Sequence, residues 1–316
     1  MMCKLIIQTA QRITDLRGRF IRHERYEPLQ ARFQLLIEKR LADIAAGRTT
    51  DAHGIALSGA SGTGKSRVMA QLLNTALADL SASSFPEASI ISLRVPSPAT
   101  LKFVGQMVLR ALGYNLTTER QAWYIWDLVR HQLRARKVLF LHLDEAQDLS
   151  SRGTAKELNA VASMLKTLMT DEHWPVGILL SGTEELETIL NHDAQLARRM
   201  DMVHFGPLSA VHHAPDVIGL VDGYAQRAGI IADAGVSLPA FAERLIHSAA
   251  FQFGLVIEII IAAIEVALLE EAAALTQAHF ATAYEIRSSC ADAFNPFIVR
   301  DYFKIDARKV FTREMQ

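Results

Sequence analysis

Only two cysteines, Cys3 and Cys290, occur in the 316 residues. They are too few for a disulfide framework and have no spacing that suits a metal centre. An excess of one charge is missing as well. Against 33 basic side chains stand 34 acidic ones, a net charge of −1, so any nucleic-acid contact has to come from a local basic patch. Long apolar runs are absent: the most apolar stretch, residues 255–269, carries Glu258 and Glu265. It is too short to span a bilayer comfortably and reads as a buried helix. The N-terminus lacks the apolar centre of a signal peptide. There is no internal repeat or low-complexity run, and His204, His212 and His213 form no metal-ligand set. The expectation is a globular cytoplasmic protein without membrane association, long enough for one large or two modest domains.

What is present is a phosphate-binding loop. Gly59, Ala60, Ser61, Gly62, Thr63, Gly64, Lys65 and Ser66 fit G-x-x-x-x-G-K-[ST]. An apolar strand over 54–58 runs into the loop and a helix-compatible stretch over 66–73 runs out, which is the context the motif needs. The glycines let the backbone wrap a phosphate, so that amide N–H groups and the positive end of the helix converge on it. Lys65 is expected to reach the β- and γ-phosphates and the Ser66 hydroxyl to hold Mg²⁺, with Arg67 beside them on the helix. ATP and Mg²⁺ are the expected cofactors.

A second motif closes residues 138–145, an apolar strand ending in Asp144 and Glu145. The C-terminal end of a strand is where an open α/β sheet places its ligand. Asp144 is expected to face Mg²⁺ through water, and Glu145 to orient or deprotonate the water that attacks the γ-phosphorus. His142, inside the same strand, reads as a residue of the second sheet face rather than a ligand. The strand over 176–181 leads into Gly182 and Thr183. Thr183 is the first choice, and Ser181 the alternative, for a polar contact with the γ-phosphate or the attacking water; Thr183 equally suits a helix cap. Arg198 and Arg199 precede the last strand, and Arg199 is preferred as a guanidinium acting on the phosphoryl group, including across a subunit interface.

Around these motifs apolar strands (89–95, 138–143, 176–181, 202–205) alternate with helical stretches (100–112, 122–135, 155–169, 184–190), the pattern of a parallel sheet flanked by helices. From residue 209 only helical stretches remain: 214–228, 239–250, 255–273 and 277–286. The expected fold class is therefore α/β, a P-loop nucleotide-binding sheet followed by a small all-helical lid. The expected boundaries are an N-terminal helical segment over 1–52, the nucleotide-binding domain over 53–208, the lid over 209–286 and a tail over 287–316 available to a partner.

The order of elements resembles an AAA+ ATPase, and within that superfamily the transposition regulators of the TniB/TnsC type. The resemblance rests on the loop sequence from Leu57 to Ser66, on Leu143-Asp144-Glu145-Ala146-Gln147-Asp148-Leu149 and on Leu180-Ser181-Gly182-Thr183-Glu184-Glu185-Leu186. The arginine pair, the stretch Arg17-Gly18-Arg19-Phe20-Ile21 and Asn295-Pro296-Phe297 extend it over about residues 15–300. It implies an ATP-bound homo-oligomer, ring or filament, that assembles on double-stranded DNA and recruits a transposase, with hydrolysis resetting the assembly. Arg94, Lys102, Arg110 and Arg152 are the candidate DNA contacts. Trp123, Tyr124 and Trp126 suit packing on a helix better than base stacking. One departure is that residues 250–256, where many AAA+ lids carry a nucleotide-sensing arginine, contain none. An AAA+ ATPase of secretion or envelope machinery and a nucleotide-switched signalling or defence module are the competing readings. The first lacks its usual transmembrane and peptidoglycan-binding segments here, and the second has no need of Glu145.

Overall fold

The computed structural model describes residues 2–83, 85–150 and 153–309. Its elements are α1 (Met2–Gly18), α2 (Tyr26–Ala45), β1 (Gly54–Ser58), α3 (Lys65–Ser81), β2 (Ser89–Arg94), α4 (Leu101–Ala111), α5 (Ala122–Ala135), β3 (Val138–Asp144), α6 (Ala155–Met169), β4 (Gly177–Gly182), α7 (Leu186–Asn191), α8 (Ala194–Ala197) and β5 (Met200–His204). They continue as α9 (Ala214–Ala228), β6 (Ile231–Ala232), α10 (Pro239–Ser248), α11 (Phe253–Leu269), β7 (Ala274–Leu275) and α12 (Gln277–Ser288).

Five strands form one parallel sheet in the order β2-β3-β4-β1-β5. The three central strands are buried at every position but Asp144 at the end of β3. That is what unbroken runs such as Val138-Leu139-Phe140-Leu141 require, because helices cover both faces of a parallel sheet. The outer strands β2 and β5 expose alternate or consecutive residues instead. Helix starts follow from local chemistry: the Thr100 hydroxyl accepts from Phe103 N–H at the head of α4, and the Asp193 carboxylate from Gln195 and Leu196 N–H at the head of α8. Each such cap is worth about 1 kcal/mol.

The chain divides into two compact units. The sheet unit comprises residues 22–60 and 65–205. The helical unit comprises the residues up to Ile21, Ser61–Gly64 and the residues from Gly206 onward. Thus α1 groups with the C-terminal helices while α2 groups with the sheet, so the first fifty residues are not one segment. Ile13 and Leu16 of α1 are buried in the same core as Val221, Ile260 and Ile264, and Arg12 donates to the Ala228 carbonyl at 3.2 Å.

α11, the most apolar stretch, buries Val256, Ile260, Ala263, Ile264 and Ala267 completely. No single helix among the described residues is long and apolar enough to cross a membrane. Two features of this unit differ from the sequence expectation. β6 and β7 form a two-residue parallel pair, too short to leave a period-2 signal. Asn295-Pro296-Phe297 is docked rather than free: Phe297 is 2% exposed, Asn295 donates to the Ala281 carbonyl at 2.8 Å, and Arg244 donates to the Pro296 and Val299 carbonyls. Of the two thiols, Cys3 is exposed and Cys290 is buried.

Candidate nucleotide site

The strand order brings the motifs together. Because β4 inserts between β1 and β3, the ends of all three strands share one rim: Ser58 pairs with Gly182, and Asp144 with Ser181. The phosphate loop leaves β1 at that rim. Gly62 and Gly64 adopt φ of +84° and +92°, a left-handed region that glycine enters without steric cost. Nothing lies within 4 Å of where a Cβ would stand on Gly64. Within the helical unit the loop tip meets the head of α11: a Cβ on Gly254 would fall 2.5 Å from the Gly62 carbonyl oxygen. Backbone contact therefore stands where a lid arginine is missing.

Lys65, at the head of α3, is only 8% exposed and donates from Nζ to the Gly59 and Ala60 carbonyls at 2.7 and 2.9 Å. Burial pushes the Lys65 ammonium below its ordinary pKa, while Glu145, Asp144 and Glu184 pull it back. Three carboxylates thus supply the field that keeps a nearly buried cation charged. Ser66 and Arg67 follow on the exposed side of α3.

On the other side of β4, Ser181 donates to Asp144 Oδ1 at 2.5 Å. Ser181, and not Thr183, is the residue that meets Asp144. The reason is register: Ser181 stands directly opposite Asp144, whereas Thr183 lies past the end of β4. The Thr183 N–H donates to Gln147 Oε1 at 3.1 Å, and its own hydroxyl is buried with no partner among the described residues.

Glu145 has φ of +54°, a left-handed conformation uncommon outside glycine and often found where a residue is held for function. Gln147 Nε2 donates to Glu145 Oε2 at 2.7 Å, so one amide ties Glu145 to the backbone after β4. The fit is close, since a Cβ on Gly182 would fall 2.3 Å from Gln147 Oε1. Sequence reasoning assigned Gln147 no role; its place two residues after Glu145 was the available signal.

A family model described as bacterial TniB protein matches residues 12–209, well over half of the chain. The chain belongs to the TniB family. No curated protein matches it. Among solved structures, this TniB family member is similar to Aeropyrum pernix Orc1 in complex with DNA, at 16% identity and a TM-score of 0.61, covering 85% of this chain and 66% of Orc1. It is also similar to Cdc6p from Pyrobaculum aerophilum, at 16% identity and a TM-score of 0.60, covering 84% and 68%. For the Drosophila origin recognition complex bound to DNA the values are 14%, 0.56, 87% and 65%. The TniB family member therefore spans about two thirds of the length of these chains. At such identities the likeness defines the fold, an AAA+ P-loop sheet with a helical C-terminal region.

The remaining residues singled out from sequence fall in different surroundings. Arg199 is bound within its own chain, donating to Asp51 Oδ2 at 2.5 Å and to the Gln195 carbonyl at 2.9 Å. Arg198 is exposed and has no partner among the described residues. Within one chain, Arg198 is therefore the more available side chain of the pair. Arg94 ends β2 opposite Asp144 and donates to Glu145 Oε1 at 3.5 Å, so this DNA candidate faces the acidic pair instead of standing apart from it. Lys102 and Arg110 line one concave polar surface with Gln106 on α4, and Lys102 pairs with Glu119. Arg152 lies outside the described residues. Trp126 is packed and donates to the Leu101 carbonyl at 3.0 Å, but Trp123 is 73% exposed, contrary to the packing expectation.

The residues fit a nucleoside triphosphate with Mg²⁺. An orphaned buried hydroxyl costs about 1–3 kcal/mol, and Thr183 carries one at the end of β4. The open space at Gly64 and the helix head at Lys65 supply an anion cradle. Gly59–Ser66 would hold the phosphates, and Ser66 and Asp144 the metal. When bound, Mg²⁺ would neutralise charge on the phosphate oxygens.

Proposed function

We propose that this TniB family member binds and hydrolyses ATP, assembles on duplex DNA as a homo-oligomer and there recruits a transposase. The observation that carries the hydrolytic part is that the strand leading to the Lys65 loop and the strand ending in Asp144-Glu145 flank β4 and finish at one rim of the sheet. A buried cation for phosphates, a carboxylate for a metal and an acid for water are the parts phosphoryl transfer needs. In this reading Thr183 serves the γ-phosphate side, and Arg198, with Arg199 as its neighbour, reaches the nucleotide of the next copy. Residues 53–208 act as the nucleotide domain, 209–286 as the lid, and the protein works in the cytoplasm.

Support for DNA comes from α4. Lys102, Gln106 and Arg110 recur every four residues and therefore share one helix face, opposite Asn115, Thr117 and Thr118. Arg110, Lys102 beside its partner Glu119, and several hydroxyl or amide groups on one concave surface suit a phosphate backbone that displaces Glu119 from Lys102, and such a backbone carries no sequence information itself. The Orc1 and origin-recognition structures are described as DNA-bound, which favours the same reading. The transposase follows from the family resemblance.

Electron microscopy of the protein with ATP and duplex DNA tests the assembly, and rings or filaments are expected. Discrete particles indifferent to DNA at low salt would refute it. Lys102→Ala and Arg110→Ala should each lower the slope of log affinity against log salt by about 1. An unchanged slope in both variants places the DNA elsewhere.

A further inference from the structure

Inside the sheet a polar chain crosses three adjacent strands. Ser92 on β2, His142 on β3 and Ser181 on β4 stand in line: Ser92 Oγ lies 2.8 Å from His142 Nδ1, and His142 Nε2 lies 2.9 Å from Ser181 Oγ. Ser181 then donates to Asp144 Oδ1. His142 is 3% exposed and Ser181 fully buried, while Ser92 reaches the surface on the edge strand.

The direction of every bond follows from the last one. A carboxylate only accepts, so Ser181 gives its proton to Asp144 and must accept from His142. His142 therefore carries its proton on Nε2, and Nδ1 accepts from Ser92. Buried polar groups in a sheet core are costly unless fully paired, and here each one is.

We propose that Ser92, His142 and Ser181 form a directional relay that positions Asp144: the relay occupies Oδ1 and leaves Oδ2 available to a metal. His142 and Ser181 are positioning residues in this scheme, not groups that touch nucleotide. The inference rests on the nucleotide-site reading above and deepens it. His142 was set aside in the sequence because nothing there shows which strands flank β3.

The test is Mn²⁺ binding to the full-length protein with ADP, followed by electron paramagnetic resonance, alongside ADP binding in EDTA. His142→Leu should weaken Mn²⁺ binding about tenfold, the usual scale for partners of a metal ligand, with ADP affinity in EDTA unchanged. His142→Gln, whose amide can both donate to Ser181 and accept from Ser92, should recover most of the loss. Nitrogen NMR of the histidines should find the His142 proton on Nε2. Unchanged Mn²⁺ affinity in folded His142→Leu, or a proton on Nδ1, overturns the relay. If His142→Leu does not fold, Ser181→Ala carries the same expectation and the same refutation. Failure of the wild-type protein to bind ADP in EDTA would instead overturn the nucleotide reading.

Discussion

Lys65→Ala is expected to lower ATP affinity by about two orders of magnitude, the loss of one to two charge-assisted hydrogen bonds to phosphate at roughly 1.5–3 kcal/mol each. The same change should destabilise the ligand-free protein. Lys65 Nζ now donates to the Gly59 and Ala60 carbonyls, and alanine removes these two bonds. The expected cost is on the order of 1–3 kcal/mol. Titration with a fluorescent ATP analogue reads the first effect, and thermal unfolding without nucleotide reads the second. Undiminished affinity would remove the loop from the binding site. Lys65→Ala also provides the test of a shared site. Mixed with Arg198→Ala protein, it should recover part of the ATPase activity, since some interfaces then combine an intact loop with an intact arginine. No recovery in mixed oligomers means that Arg198 does not act across the interface.

Glu145→Gln should leave ATP binding within about threefold of the wild type while turnover falls by roughly 10²–10⁴, the range for loss of a general base. The separation is expected because the two roles rest on different atoms. Phosphate binding falls to the loop and Lys65, whereas the Glu145 carboxylate accepts from Gln147 and Arg94. The substituted amide oxygen can still accept from Gln147 Nε2, so the left-handed backbone at this position keeps its local support. A complex that binds ATP without consuming it should persist on DNA longer than the wild type. Phosphate release and light scattering with ATP and duplex DNA measure the two consequences. Unchanged turnover would strip Glu145 of its assigned chemistry.

The phosphate loop and the Asp144-Glu145 strand end were legible in the sequence because each is written in consecutive residues. The alternation of strands and helices was equally plain: α5, α6 and α9 begin and end where periodicity placed them. What stayed hidden depends on which strands are neighbours. Ser181 and Thr183 are two residues apart and chemically alike, and only the insertion of β4 beside β3 puts Ser181 against Asp144. Gln147 bridges Glu145 and Thr183 across a gap in sequence that no local pattern reports. Arg199 and Arg198 are adjacent, and their different availability is decided by Asp51, far earlier in the chain. The docking of α1 among the C-terminal helices was hidden for the same reason.

The position of β1 has a consequence for how the chain comes to be folded. Its partners arrive late: Ile55 pairs with Leu179, and Gly54 with Met200. Contacts between residues so distant in sequence slow folding, because the loop-closure entropy is lost before the pairing repays it. During synthesis, which runs from the N-terminus, the strand that presents the phosphate loop lacks β4 until the ribosome has passed residue 182 and β5 until it has passed residue 204. A nascent chain that ends between Glu145 and Gly177 carries the whole loop sequence and the Asp144-Glu145 pair, yet β1 has no strand beside it on which to align them.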